Sequence, residues 1–117
     1  MKAVYYAGIG SRKTPDPILA VMREVGRQFA SMGLVLRSGA APGADAAFES
    51  GCDEVGGPKD IFIPWQDFQG RTSGPGVQNI DMKAKPEMVQ IAAEHHPRWA
   101  FLKYGVKSLM TRNVAQV

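Results

Sequence analysis

Apolar positions recur along this chain in two rhythms, one for strands and one for helices. Ala3-Val4-Tyr5-Tyr6-Ala7-Gly8-Ile9-Gly10 is a continuous β-branched and aromatic run that stops on glycine, the pattern of a strand buried on both faces of a parallel sheet. A polar turn with two prolines follows, Ser11–Pro17, in which Asp16 suits an N-cap and Pro17 the first helical position. Ile18, Met22, Val25, Phe29 and Met32 then recur at spacings of four, three, four and three, with Arg23, Glu24, Arg27, Gln28 and Ser31 on the other side. That is an amphipathic helix, closed by Gly33.

Leu34-Val35-Leu36-Arg37 predicts a short second strand, Ser38–Gly43 a loop, and Ala44–Ser50 a second helix that Gly51 ends. Asp60-Ile61-Phe62-Ile63 predicts a third strand, stopped by Pro64. The order β-α-β-α-β implies a parallel sheet with right-handed crossovers. Residues 64–81, with glycine or proline at 70, 74, 75 and 76, read as one long irregular loop, and such loops in small domains are often lids or binding arms. Pro86–His96 resumes helical spacing through Met88, Val89, Ala92, Ala93 and His96, until His96-Pro97 breaks it. Trp99–Tyr104 reads as a short helical turn. Val106–Val117 is a last helix with Val106, Leu109, Met110, Asn113, Val114 and Val117 on one face.

The expected fold class is therefore α/β: a Rossmann-like, three-layer single domain over residues 1–117 with a parallel sheet of three strands and four to five helices. A doubly wound sheet normally continues beyond strand one, and a bare edge strand leaves backbone groups unpaired. The chain thus reads as the incomplete N-terminal part of a larger domain, or as a sheet that another chain completes.

Composition changes this picture little. An apolar share of 44% and a charged share of 21% are ordinary for a globular domain. No apolar run approaches the ~20 residues of a membrane helix, so no membrane partner is expected. The single cysteine, Cys52, cannot form an internal disulfide and fits a reducing cytoplasm, where it reads as a small buried hydrophobe. A net charge of +3 with interspersed acids suits a phosphate-bearing ligand but shows no basic run of the kind that announces nucleic acid.

Chemistry concentrates in two loops. Ser38-Gly39-Ala40-Ala41-Pro42-Gly43-Ala44-Asp45 lies between a strand and a helix. Glycines there let the backbone approach a ligand, and a helix N-terminus offers unpaired N–H groups to phosphate; a tight turn that needs glycine for backbone reasons would look the same. Gly8-Ile9-Gly10-Ser11-Arg12 ends the first strand, hence lies on the same sheet edge, and adjacent loops at that edge form the crevice where open α/β sheets bind ligands. Arg12 either forks onto a phosphate or carboxylate or is a solvated loop arginine. Neither the dinucleotide fingerprint nor a P-loop is present: Lys13 stands where the third glycine would be.

Three segments carry a resemblance. Gly10-Ser11-Arg12, Arg37–Asp45 and Ile63-Pro64-Trp65 resemble the SLOG superfamily, which takes in the DNA-processing protein A (DprA/Smf) family and the "lonely guy" (LOG) nucleotide phosphoribohydrolases, once described as lysine decarboxylases. The likeness is greatest to small bacterial and phage members and spans nearly the whole chain. It implies a Rossmann-like fold that binds nucleotides or their derivatives through Gly10, Ser11, Arg12, Ser38, Gly39, Ala40, Gly43, Ala44 and Asp45. Met110-Thr111-Arg112-Asn113 is similar to the Met-x-x-Arg helix motif of the lonely-guy branch, which would make Arg112 catalytic beside a ligand-binding Asn113; otherwise Arg112 is a surface cation near a helix C-terminus. The Pro-Gly-Gly-x-Gly-Thr-x-x-Glu segment that carries that branch's catalytic glutamate has no counterpart here.

Other candidates are weaker. Glu49 follows Asp45 by four and is a tentative catalytic carboxylate, though solvent exposure is the expectation for it and loop support the expectation for Asp45. His95-His96 lacks ligand partners at a metal-binding spacing, so neither a metal nor another cofactor is expected. Trp65 and Phe68 either stack on a base or, preferably, pack in the core, as does Trp99. Three functions follow: a nucleotide-binding sensor, sequestering or DNA-processing-related module; a nucleoside-monophosphate phosphoribohydrolase needing residues beyond this chain; or a single-stranded DNA binder. An exposed first-strand edge makes a homo-oligomer the expected assembly.

Overall fold

A computed structural model describes residues 2–116 and gives an α/β fold with a four-stranded, all-parallel sheet. The chain runs β1 (Tyr5–Ala7), α1 (Asp16–Ser31), β2 (Val35–Ser38), α2 (Ala44–Glu54), β3 (Lys59–Ile63), β4 (Val77–Asn79), α3 (Pro86–Glu94), a 3₁₀ turn (Trp99–Phe101) and α4 (Tyr104–Ala115). Strand order is β1-β2-β3-β4, with β1 at an edge. The expected Val117 face position lies outside the described residues.

Register sets the two faces of the sheet. Tyr6 pairs with Leu36, Arg37 with Asp60 and Ile61 with Val77, and cross-strand partners project to the same side. Tyr6, Leu36, Ile61, Ile63 and Val77 therefore share the face covered by α1 and α2. Leu36, Ile61 and Ile63 are fully buried there with Ala30, Cys52 and Phe68, each large aliphatic contributing ~1.5–3 kcal/mol by leaving water. The Tyr6 ring stands edge-on to Phe29 at 4.9 Å, and burial pushes its hydroxyl pKa up to about 12.

The two covering helices touch backbone to backbone. A Cβ on Gly26 would meet the Phe48 carbonyl oxygen at 2.5 Å, and one on Gly51 would run into the Arg23 carbonyl. Gly51 thus does not end α2, which continues to Glu54; its place is the helix–helix contact, where no side chain fits.

Four other expectations are corrected. The sheet has a fourth strand, because Val77–Asn79 pairs with Ile61–Ile63 inside the stretch that reads as loop. Strand β1 is not buried on both faces: Val4 is 59% and Tyr5 45% exposed. Helices α3 and α4 pack on each other and α4 on β3, and among the described residues neither covers the second face of β1, where Tyr5 meets the Arg37 guanidinium at 4.0 Å. Pro15, not Asp16, holds the N-cap position of α1, and no side chain caps it. The last helix starts at Tyr104, two residues earlier than its apolar pattern.

Candidate functional site

Parallel pairing of β1 with β2 brings the loops that follow them to one edge, where they pack directly on each other. The Ala44 N–H donates to the Ser11 carbonyl at 3.1 Å. Gly43 has φ +83, and a Cβ there would meet the Ser11 and Arg12 carbonyl oxygens at 2.6 and 2.7 Å; one on Gly10 would meet the Ala44 methyl at 2.7 Å. Ser38 is fully buried and donates its Oγ hydrogen to the Gly8 carbonyl at 2.6 Å. Ala40 holds a left-handed φ of 59. Loop-on-loop packing is thus the direct reason for Gly10 and Gly43, and Ser38 stitches the strands together instead of facing a ligand.

Asp45, on the first turn of α2, is 4% exposed and accepts the Gly39 N–H at 3.2 Å, with the Ala41 and Gly10 N–H groups also directed at it. Burial pushes its carboxyl above the usual range, against the pull of Arg112 and those N–H donors. Loop support is the place the structure gives it.

Helix α4 closes the third side. Arg112 is buried, not a surface cation: its Nη1 donates to the Gly39 carbonyl at 2.6 Å and more weakly to the Phe62 carbonyl at 3.4 Å. Its Nε donates to Asn113 Oδ1 at 2.9 Å, and its guanidinium lies 5.4 Å from the Phe68 ring centre. Burial, with the nearby Arg12 charge, lowers the Arg112 pKa, and Asp45 opposes this. Gln116 is 3% exposed, and its Nε2 has no hydrogen-bond partner among the described residues. A Cβ on Gly39 would strike both Gln116 Nε2 and the Arg112 guanidinium, so any larger residue there must push these two side-chain ends aside.

Together these groups enclose a crevice of about 450 Å³ lined by Ile9, Gly10, Arg12, Ala41, Asp45, Leu109, Met110, Arg112, Asn113 and Gln116, within the ~300–1,000 Å³ usual for small-ligand pockets. Sequence reasoning did not single out Gln116. The signal for it was positional: 109, 112, 113 and 116 follow helical spacing on one face.

The remaining candidates fall elsewhere. Glu49 is buried, not solvent-exposed, and is turned away from the crevice: Arg71 donates to both its oxygens at 2.8 Å and Lys59 to Oε2 at 2.6 Å. Lys59 also bridges Asp53 at 2.8 Å. Phe68 is in the core, but Trp65 is 41% exposed and Trp99 only half-buried. His95 bonds back to the Ile91 carbonyl, and among the described residues no three His, Cys, Asp or Glu side chains gather as a metal site. Cys52 is buried, which raises its thiol pKa. No helix among the described residues is long and apolar enough to cross a membrane.

A larger hollow, about 560 Å³, lies on the second sheet face between Arg37, Asp60, Gln78, Met88 and Ala115. It is the gap where α3 and α4 stop short of β2, and the loops at the carboxyl edge do not reach it. The crevice is the better site because buried polar groups converge there. The chain matches no protein-family model, no curated protein and no solved structure.

Proposed function

We propose that the chain binds a phosphate-bearing nucleotide or nucleotide derivative in the crevice between its two glycine loops and α4, acting as a sensor or sequestering module or in a DNA-processing role. One observation carries this reading: among the described residues two guanidinium groups, Arg12 and Arg112, line the crevice against a single carboxylate. Arg12 is exposed at its rim, Arg112 shows an edge of its guanidinium, and Gln116 Nε2 is buried without a partner among the described residues. Asp45 is the one carboxylate lining it among the described residues, already engaged by backbone N–H groups. Two guanidinium charges against one carboxylate leave the described lining net positive, and an anionic, acceptor-rich ligand answers that charge. The resemblance to the SLOG superfamily at Gly10-Ser11-Arg12 and Arg37–Asp45 points the same way.

Binding is favoured over glycosidic hydrolysis. An oxocarbenium-like transition state needs a free carboxylate beside the sugar, whereas Asp45 is saturated and Glu49 is locked to Lys59 and Arg71. Thermal unfolding against nucleotides, cyclic dinucleotides and ADP-ribose derivatives tests the reading. A true ligand at 100 times its Kd adds ~2.7 kcal/mol of stability, and Arg12→Ala removes the shift. No shift with any of them, from folded protein, contradicts it.

One observation favours single-stranded DNA as a second reading. Trp65 and Tyr104 line a common hollow at the ends of β3 and β4, Phe101 on the adjoining turn is 83% exposed, and Arg98, Lys103 and Lys107 are interleaved with them. Exposed aromatics among cations are what base stacking requires. Oligonucleotide binding that weakens steeply with salt and is lost in Phe101→Ala would establish it. We further read the bare β1 edge as the surface of a homo-oligomer, with a second copy of the chain covering it.

A further inference from the structure

The crevice shares two lining residues with a neighbouring hollow. Met110 and Asn113 also line this second hollow, about 230 Å³, between α3 and α4, whose other walls are Ile91, Ala92, His95, His96 and Val114. The two cavities differ in character. The crevice end holds Arg12 and Arg112; the α3–α4 end is aliphatic, with imidazoles as its polar groups. Asn113 stands at the junction and its Oδ1 accepts from Arg112 Nε, which leaves its Nδ2 hydrogens for whatever crosses there. His96 Nδ1 accepts the Arg98 N–H at 3.3 Å, so the neutral ring carries its hydrogen on Nε2 as a further donor.

We propose that the α3–α4 hollow is the subsite for the heteroaromatic base of the ligand whose phosphate lies against Arg12, with the sugar passing Asn113. This rests on the nucleotide reading above and narrows it to a nucleoside monophosphate or a similarly short molecule, since the hollow has room for one ring system. Ile91 is 44% exposed and Met110 and Val114 are half-buried, so an apolar surface is left open to water beside a cationic one. A flat ring laid on it buries that surface while its ring nitrogens or carbonyls accept from His96 or Asn113. A purely anionic ligand would leave the hollow empty.

Calorimetric titration of the full chain with ribose 5-phosphate and the common ribonucleoside monophosphates tests this. At least one monophosphate is expected to bind about tenfold or more tighter than ribose 5-phosphate. Ile91→Asp is expected to bring its Kd to within about twofold of ribose 5-phosphate, while leaving ribose 5-phosphate binding unchanged. Ile91→Ala, a milder change at the same exposed position, supplies the comparison if the aspartate variant does not fold and should narrow the gap in the same direction. A base preference that survives both variants overturns the subsite and leaves the phosphate site standing. Equal affinity of wild type for ribose 5-phosphate and every monophosphate does the same. Failure of all of them to bind overturns the subsite and the narrowing to a short ligand, and the nucleotide reading falls too only if the cyclic dinucleotides and ADP-ribose derivatives also give no thermal shift.

Discussion

Each residue of the crevice has a separable consequence. Arg12 is exposed and makes no ion pair among the described salt bridges. Arg12→Ala should therefore leave the unfolding temperature of the free protein unchanged while weakening ligand binding about tenfold or more, the worth of a charge-assisted hydrogen bond. Arg112 is the opposite case. Arg112→Leu strands the Gly39 carbonyl and leaves buried Asp45 without its nearby cation, so urea unfolding should show a loss of about 3 kcal/mol or more. Gly39→Ala drives a methyl into Gln116 and Arg112 and should cost about 1–3 kcal/mol by overpacking. Equal stability of Gly39→Ala and wild type would mean that the Gln116 and Arg112 side-chain ends move aside at no cost. The glycine loops were legible in sequence because glycine at those places after a strand is a backbone requirement. The burial of Arg112 was not, since a lone arginine at a helix end looks the same whether it faces water or a carbonyl 73 residues away in sequence.

Among elements, the joint between α2, β3 and the β3–β4 connection rests on Glu49. Burial alone would raise its carboxyl pKa, but hydrogen bonds from Arg71 and Lys59 outweigh that and hold it below its ordinary 4.5. A depressed folded-state pKa gives stability that is complete above the unfolded value and is lost as pH falls through the folded one. Glu49→Gln should thus be less stable than wild type at neutral pH by about 2 kcal/mol, with the difference shrinking on acidification below about pH 4.5. A difference that stays constant between pH 7 and pH 3 would show that the carboxylate charge contributes nothing. Sequence gave no means of finding this cluster, because Arg71 lies 22 residues downstream within irregular chain. Helix α1 was readable from its 3.6-residue period. Strand β4 was not: with three residues and glycine at Gly74 and Gly76, it is too short for an alternation pattern to rise above turn chemistry.

At the scale of the whole molecule, α1 and α2 cover one sheet face over β2, while on the other side only α4 reaches the sheet, at β3. The order β-α-β-α-β was sufficient to foresee the first, because right-handed crossovers put α1 and α2 on one side. It was insufficient for the second, which depends on how far α3 and α4 reach. Val4 and Tyr5 are left in water at an unpaired edge, the kind of edge that pairs with another chain. Sedimentation should therefore show a species heavier than the 12.7 kDa monomer, and Val4→Lys should shift it toward monomer; a wild-type monomer at all concentrations would refute self-association. The central claim is the location of the ligand, and amide-resolved NMR of the labelled chain, titrated with the nucleotide that most raises its unfolding temperature, tests it most directly. The account predicts perturbed amides at Gly10–Arg12, Gly39–Asp45 and Met110–Gln116 together, with Glu49, Lys59 and Arg71 unmoved. Perturbations confined to the 560 Å³ hollow around Arg37, Asp60 and Met88, with the two glycine loops silent, would contradict it.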